Sequence, residues 1–425
     1  MSFFSKYVKS AVGILKRNKV IFENFSYLTL FQVLSLLFPL ITYPYLTRTL
    51  GTELYGLVIT AQILSSYCSI LIQFGFPLVS ARHISLHKDD KDELSKIMSS
   101  ILCMQLILWI LSFLIYLGVI YFVPTYNEHF LLFFYSFFLT FTNVLFPQFY
   151  FQGIEKMKYI TIIQLIFQLL FIALIFVVIN DKTDYVYVPV LHSIGYLIGG
   201  IIALYIIFVK DGVKLIRPKY SDIKYYTKDA LPIFSTNVIC TIKDKLNYLL
   251  LGSMVNMSQV VTYDVGSKLH SLIMKPIEII LTVIFPKMAR DKDNQQLKKM
   301  GIIIFAIALC LVLVVNLFLN QITMYFIGKE IDMFPIRLLL ISPLLLGVSG
   351  LISRCFLVAR GYNKYMLYSI IVTTSVYVIL LLCLFVMGRL NSITAFITLT
   401  VISYAAELIY RLFVMKRLVD KNENL

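Results

Sequence analysis

The chain has 425 residues, of which 59% are hydrophobic and 14% are charged, and its formal net charge is +15. Soluble domains carry about 25% charged residues, so this composition excludes an ordinary soluble protein and indicates a polytopic membrane protein. In a soluble protein so large a positive charge would suggest nucleic-acid binding. Here the position of the charges along the chain explains it better, and no nucleic-acid partner is expected.

Long apolar runs dominate the sequence. A helix that spans a bilayer needs about 20 mainly apolar residues, and twelve such runs can be placed. They predict an all-α fold with about twelve transmembrane helices. The predicted spans are 26–47, 57–77, 97–122, 130–150, 159–179, 187–208, 230–252, 259–286, 300–319, 335–358, 365–387 and 393–414.

Lysine and arginine are distributed unevenly over the predicted loops. With the N-terminus inside, the inner segments hold 27 of these residues and the outer loops hold 4. Because basic residues concentrate in cytoplasmic loops, this predicts that both termini are cytoplasmic. Residues 1–25 precede the first span. They would form either an amphipathic helix on the cytoplasmic surface or an unstructured basic leader.

The chain divides into two halves. A basic inner linker at 209–229 separates a first lobe of six spans (26–208) from a second (230–414), and 415–425 form a tail. Similar phrases close the first hairpin of each half, FGFPLVSARHISLHKDD (74–90) and IFPKMARDKDN (284–294). Six spans per half give both halves the same orientation. This predicts a parallel repeat with the substrate site between the lobes.

Span eight carries four charges on one face. Asp264, Lys268, Lys275 and Glu278 fall within a sector of roughly 80° at 3.6 residues per turn. A charge that faces acyl chains costs at least about 2.5 kcal/mol, so this face must contact protein or water. One interpretation is internal pairing of Asp264 with Lys268, of Glu278 with Lys275, and of Asp244 with a lysine. The other is a hydrated, net cationic passage that attracts an anionic substrate.

Span seven adds Lys243, Asp244 and Lys245 at a depth similar to that of Asp264 and Lys268, because only a short turn joins the two spans. Internal pairing leaves Lys243 or Lys245 without a carboxylate. This favours the passage.

Span one has a polar stripe at helical spacing, formed by Gln32, Ser35, Pro39 and Tyr43. Such a stripe is typical either of a bent helix that lines a cavity or of ordinary helix packing. Arg48 follows at the predicted outer mouth, where a lone arginine can also be an interfacial residue that extends its charge into water.

The remaining polar residues predict no catalytic centre. Glu407 and Arg411 are interpreted as a structural i, i+4 pair. His83 and His87 have spacing that could ligate a metal, but a solvated loop helix is the favoured interpretation. The six cysteines lie in apolar runs and are interpreted as small hydrophobic residues. The sequence contains no GxxxxGK[ST] nucleotide motif. We therefore expect a transporter without a metal or cofactor, driven by a proton or sodium gradient if it is coupled at all.

Three phrases in the first half carry a family resemblance: ITYPYLTRTLGTELYGLVITAQ (41–62), FGFPLVSARHIS (74–85) and PQFYFQGIEKMKYIT (147–161). Together they resemble the Wzx-type O-antigen and capsule flippases, which are polysaccharide transporters of the MATE-like MOP superfamily. The similarity is clearest over about the first 160 residues. Phe149 departs from the family pattern, since many relatives have tryptophan there.

The resemblance implies two six-helix lobes around a central cavity that opens alternately to each side. It implies an undecaprenyl-pyrophosphate-linked oligosaccharide substrate, moved from the cytoplasmic to the periplasmic leaflet of a bacterial inner membrane. It also implies membrane lipids, a polysaccharide polymerase and a chain-length regulator as partners of a monomer. The implied basic residues are Arg48, Lys243, Lys245, Lys268 and Lys275, and the implied ion-coupling residues are Asp244, Asp264 and Glu278.

Three other functions compete with this interpretation. An organic-cation or drug antiporter would favour an acidic cavity, but spans seven and eight hold four lysines against three carboxylates. A polymerase would be expected to have a large outer loop, whereas every predicted outer loop is short; a membrane acyltransferase remains as a related alternative. A scaffold without transport would not need charges in the middle of the membrane.

Overall fold

The computed structural model describes residues 19–423. Within this range the side chains at 19–22, 24, 25, 28, 31, 33, 36, 240, 242–244, 286, 363 and 421–423 fall outside the description. The described backbone is almost entirely helical and contains no β-strand, which confirms the predicted all-α class. The interpretation of residues 1–25 falls mostly outside the described residues.

Close backbone contacts divide the chain into two units. Among the described residues, the first comprises 19–50 and Ala61–Thr241, and the second comprises Gly51–Thr60 and 242–423. The predicted arrangement of twelve helices in two lobes stays a prediction.

The first nine helices lie between residues 19 and 205. They are α1 (Lys19–Gln73), α2 (Phe76–Leu86), α3 (Lys91–Phe122), α4 (Pro124–Glu128), α5 (Phe130–Phe137), α6 (Thr142–Leu145), α7 (Gln148–Gly153), α8 (Met157–Val178) and α9 (Val188–Tyr205). A 3₁₀ turn at Phe138–Phe141 joins α5 to α6, and a π-helical segment at Ile206–Lys210 extends α9.

The remaining eight helices complete the described chain. They are α10 (Tyr220–Met254), α11 (Met257–Asp291), α12 (Asn294–Leu317), α13 (Leu319–Ile327), α14 (Phe334–Leu339), α15 (Ser342–Leu351), α16 (Asn363–Val386) and α17 (Ile393–Glu423). Helix α10 crosses from the first unit into the second after Thr241.

Helix α1 is two helices joined at one residue. Gly51 has φ 81° and ψ 162°, which lies outside the helical region, and a glycine adopts this conformation without the steric cost that a Cβ would impose. The break falls between the predicted first and second spans. It explains how one continuous helical assignment contains both.

Nine helical segments among the described residues are long and apolar enough to cross a membrane. The prediction placed twelve, and the difference has a physical reason. One of the nine, Leu37–Leu86, runs across the break at Gly51 and so contains parts of both predicted spans of α1, together with α2. Helices α10 and α11 are 35 residues long each but are not among the nine, because their charged side chains lower their hydropathy. The protein is a multi-pass membrane protein.

Aromatic side chains fill the core of the first unit. Tyr116 is 1% exposed. Its hydroxyl donates to the Phe133 carbonyl at 2.9 Å and lies 3.2 Å from Ser65 Oγ. Trp109 donates from Nε1 to Thr140 Oγ1 at 3.0 Å. These contacts fix α3 against the α5–α6 segment, and they pair the polar groups of Tyr116, Ser65, Trp109 and Thr140 within the apolar core.

Candidate functional site

The charged face of α11 is the first part of the candidate site. Asp264 is buried, and it accepts hydrogen bonds from Lys268 Nζ one turn away and from the Tyr248 hydroxyl of α10 at 3.2 Å. The Lys268 side chain is 38% exposed and the Asp264 side chain is 10% exposed. The carboxylate is therefore an internal group of the second unit, whereas its lysine partner extends to the surface of that unit.

The second pair on α11 is more open. Lys275 Nζ lies 3.3 Å from Glu278 Oε2, with side-chain exposures of 45% and 42%. Both internal pairs considered from the sequence are thus present. Pairing does not bury the lysines, because in each pair the lysine side chain remains more than one-third exposed. The Lys275–Glu278 pair can exchange its carboxylate for an external anion, since an exposed ion pair is worth only about 0–1 kcal/mol.

The candidates on α10 are described in part. The side chains of Lys243 and Asp244 fall outside the described residues, and Lys245 is half-buried. The predicted pairing of Asp244 with a lysine therefore stays a prediction.

The candidates on α1 lie in the first unit. Gln32 and Arg48 are exposed, Ser35 and Pro39 are half-buried, and Tyr43 is 1% exposed. Within the described residues, Ser35 Oγ is buried without a hydrogen-bond partner. The stripe therefore runs from an exposed end to a buried end, and Tyr43 belongs to the packed interior of its unit rather than to an accessible surface.

A buried amide within the second unit was not predicted from the sequence. Asn247 Nδ2 donates to the Tyr263 hydroxyl at 2.9 Å and to Thr400 Oγ1 at 2.7 Å, and the Tyr377 hydroxyl donates to Asn247 Oδ1 at 2.5 Å. One side chain thereby joins α10, α11, α16 and α17. The signal was an asparagine within an apolar run, which is costly in a membrane unless it is bonded.

A second polar network lies on α17. Arg411 Nη1 is 2.7 Å from Glu407 Oε1, and both residues are buried. Glu407 also accepts from Ser349 Oγ at 3.1 Å and from Thr373 Oγ1 at 2.9 Å, and Arg411 Nε donates to Ser369 Oγ at 3.0 Å. The predicted i, i+4 ion pair is confirmed, and the structure adds the hydroxyl groups that satisfy it.

A charged cluster joins α2 to α10 within the first unit. Asp229 Oδ2 accepts from Arg82 Nη2 at 2.8 Å and lies 2.9 Å from His83 Nε2. We call Arg82, His83 and Asp229 the Asp229 clasp. Next to it, burial and the neighbouring carboxylates of Glu93 and Asp222 raise the pKa of Tyr226 to about 12, so its hydroxyl is neutral at physiological pH.

The backbones approach closely beside the clasp. A Cβ on Gly75 would lie 2.7 Å from the Ala230 carbonyl oxygen, so only glycine fits this position. The Phe74 and Phe234 rings stack at 4.3 Å. The corresponding arginine of the second phrase behaves differently: the Arg290 side chain is 79% exposed, and among the described residues it pairs with its neighbour Asp291 at 3.2 Å. The two segments are therefore similar in sequence, but their arginines make different contacts.

Comparison with known proteins gives the family. Residues 21–292 match the family described as "Polysaccharide biosynthesis protein", which is well over half of the chain. The chain belongs to the polysaccharide biosynthesis protein family. This confirms the resemblance stated from the sequence.

The relatives of this family member are transport proteins. It is 25% identical over 352 residues to an Escherichia coli (strain K12) protein described as "Putative O-antigen transporter", and the match covers 80% of this chain and 84% of the relative. A Shigella dysenteriae protein with the same description is 25% identical over 350 residues, covering 80% and 87%. These similarities place the chain among transporters rather than enzymes.

Solved structures agree with the fold. The lipid II flippase MurJ in an inward closed conformation has a TM-score of 0.69 at 17% identity, covering 91% of this chain and 87% of MurJ. An inward-facing multidrug resistance MATE transporter of the MOP superfamily has a TM-score of 0.68 at 14% identity, covering 90% and 96%. At these identities the similarity concerns the fold alone. The fold is that of the MATE-like MOP transporters.

Proposed function

We propose that this protein flips undecaprenyl-pyrophosphate-linked oligosaccharide repeat units from the cytoplasmic to the periplasmic leaflet of a bacterial inner membrane. Transport proceeds by alternating access, and both termini are cytoplasmic. Membership of the polysaccharide biosynthesis family and the described role of the Escherichia coli relative support this proposal. The sugar and pyrophosphate need a hydrated passage, because moving polar groups through hydrocarbon unaided is prohibitively costly.

One observation carries the proposal: α11 presents two partly exposed lysine side chains, those of Lys268 and Lys275, on one face of the helix. An anionic pyrophosphate is the kind of group that such cations attract, since charges in a low-dielectric cleft raise the local concentration of the opposite charge. In this proposal Lys268 and Lys275, with Lys243, Lys245 and Arg48, contact the pyrophosphate, and Gln32, Ser35 and Pro39 of the α1 stripe line the passage.

Ion coupling is the finer part of the proposal. Asp264 is the buried carboxylate of the site, and it loses its ion-pair partner when Lys268 binds a substrate phosphate. A proton or sodium ion would then compensate the buried charge, because an unpaired buried carboxylate is unfavourable. Glu278 and Asp244 are the other candidates for this role. Transport of a labelled lipid-linked oligosaccharide into vesicles should therefore depend on an imposed proton or sodium gradient.

The proposal is tested in cells of a strain that lacks its own O-antigen or capsule flippase. Expression of this protein should restore surface polysaccharide and remove the lipid-linked repeat units that accumulate on the cytoplasmic side. An organic-cation antiporter would instead lower the accumulation of a cationic dye without restoring polysaccharide. Dye efflux without restoration would overturn the flippase assignment in favour of that alternative.

A further inference from the structure

An apolar groove lies within the second unit, away from the charged face of α11. Its volume is about 520 Å³, which falls within the roughly 300–1,000 Å³ typical of small-molecule sites. Helices α12, α15 and α17 form its walls, and the lining is almost entirely aliphatic and aromatic. Leu297, Gly301 and Phe305 lie along α12, Leu351 lies at the end of α15, and Leu412 and Met415 lie on α17.

The groove has a polar end. Apart from the apolar lining, Asn294 and Lys298 border it, and both belong to the first turns of α12. Arg360 Nη2 donates to Asn294 Oδ1 at 2.6 Å, which places a guanidinium group beside the same end. Lys298 is exposed and makes no hydrogen bond or ion pair within the described part of the chain. An ammonium group without a partner thus lies at the mouth of a hydrocarbon-lined groove.

The other charged side chains near the polar end of the groove are mainly basic. Lys299, Lys416 and Arg417 are exposed next to the lining residues. Two carboxylates are near: Asp293 caps α12 by accepting from Gln295 N and Gln296 N, and Asp420 follows the lining residue Val419. Basic residues therefore outnumber acidic residues at this end of the groove.

The depth of the groove is less than one leaflet. From Asn294 to Phe305 the α12 axis advances eleven residues, which at 1.5 Å per residue is about 16 Å. The hydrocarbon core of a bilayer is about 30 Å thick. From Lys298 to Phe305 the axis advances seven residues, about 10 Å, so a chain that enters beside Lys298 follows the groove for part of one leaflet.

We propose that this groove binds one acyl chain of an anionic glycerophospholipid, with the lipid phosphate against Lys298. Basic pockets between membrane helices on the cytoplasmic side are suited to anionic headgroups, and the proposed orientation places the Asn294 end on that side. The short groove holds part of one acyl chain of a resident lipid, whereas a long polyprenyl chain would extend well beyond it. The site does not depend on what the protein transports.

Gly301 provides a way to close the groove. A Cβ there would meet only Leu351 Cδ2, at 3.6 Å, which is ordinary van der Waals contact. Gly301→Ala should therefore be tolerated and leave most of the groove open. Gly301→Leu projects a larger side chain into the same space and should fill it.

The test uses the full-length protein, purified in detergent and stripped of native lipid. Phosphatidylglycerol, phosphatidylcholine with the same acyl chains, and undecaprenyl phosphate are titrated separately, and the rise in unfolding temperature is followed. Saturable stabilisation by phosphatidylglycerol is expected, with weaker binding of phosphatidylcholine. Lys298→Gln should raise the half-saturating phosphatidylglycerol concentration about fivefold, the effect of one basic residue near an anionic lipid surface. Lys299→Gln, the matched control outside the lining, should leave it unchanged.

Gly301→Leu should abolish the saturable stabilisation, and Gly301→Ala should retain it. Several results would overturn the proposal: equal half-saturation by phosphatidylglycerol and phosphatidylcholine, equal effects of Lys298→Gln and Lys299→Gln, or full binding by the Gly301→Leu protein. Saturable binding of undecaprenyl phosphate without that of phosphatidylglycerol would assign the groove to the carrier tail instead. Folding of each variant is checked by its elution as a single species before lipid is added.

Discussion

The His83 imidazole lies 2.9 Å from the Asp229 carboxylate, although 146 positions separate the two residues. His83 is 7% exposed, and the rings of Tyr225 and Tyr226 meet it edge-on at 5.6 and 5.2 Å. The contact joins α2 to the start of α10 at the point where Gly75 lets the two backbones approach. It is therefore a long-range contact that holds the linker region onto the first helical hairpin.

The first prediction concerns this contact. Asp229→Ala should lower the free energy of unfolding by about 1–2 kcal/mol, because His83 and Arg82 both lose a charged acceptor. Asp291→Ala is the matched control, since Asp291 pairs with the largely exposed Arg290 of the second phrase and such pairs contribute little. Denaturant unfolding in detergent micelles measures both values. Equal destabilisation by the two variants would show that the clasp adds nothing beyond a surface ion pair.

The second prediction concerns the buried ion pair of α17. Arg411→Met should destabilise the protein by about 3–5 kcal/mol, because it leaves the Glu407 carboxylate buried without its cation. The double variant Glu407→Gln with Arg411→Met should recover a large part of this loss, since the uncompensated charge is then absent. Thermal unfolding of the single and double variants distinguishes the two effects. A double variant as unstable as Arg411→Met alone would mean that packing of the arginine, and not its charge, is what matters.

The third prediction concerns the buried amide. Asn247→Leu removes the acceptor of the Tyr377 hydroxyl, and an unsatisfied buried donor costs about 1–3 kcal/mol. Tyr377→Phe alone should cost less, and Asn247→Leu combined with Tyr377→Phe should be more stable than the sum of the single changes predicts. A double-mutant cycle of unfolding free energies measures this coupling. Additive values would indicate that the 2.5 Å contact contributes no coupling energy.

The sequence predicted the features that depend on local patterns. The apolar runs located the helical segments that are long and apolar enough to cross a membrane, and Gly51 breaks α1 where the first predicted loop lies. The i, i+3 and i, i+4 spacings identified three ion pairs that the structure contains, although the two on α11 were the alternative to the favoured passage. These pairs could be predicted because residues three and four apart on a helix are neighbours whatever surrounds them.

Contacts between distant segments could not be predicted in the same way. Nothing in one sequence says that Asn247 meets Tyr377, or that His83 meets Asp229, because these contacts depend on which helix faces which. For the same reason the sequence similarity of segments 74–90 and 284–294 did not predict their contacts. Both segments contain a proline and an arginine, but among the described residues only Arg82 has a carboxylate from a distant helix beside it. The apolar groove beside Lys298 could not be predicted either, because its walls come from three separate helices, α12, α15 and α17.

The last prediction separates transport from pairing at Lys268. Lys268→Ala should abolish surface polysaccharide in the flippase-deficient strain, because the cation proposed to meet the pyrophosphate is lost. The change also leaves Asp264 without its partner, so loss of function alone would not distinguish transport from misfolding. Lys268→Arg keeps the charge and should retain part of the activity. Asp264→Asn with Lys268→Ala removes the uncompensated carboxylate, and this double variant should insert and unfold like the unmodified protein.

The double variant decides between the two roles. If Lys268 serves only to neutralise Asp264, removing both charges should restore surface polysaccharide to the level of the unmodified protein. If Lys268 contacts the substrate, the double variant should be stable in the membrane yet display at least tenfold less polysaccharide, a difference of about 1.4 kcal/mol at the rate-limiting step. Immunoblotting of membranes and of surface polysaccharide in the same cultures gives both readouts. Restored display by the double variant would remove Lys268 from the proposed passage and leave Lys275 as the cation on α11 to be tested next.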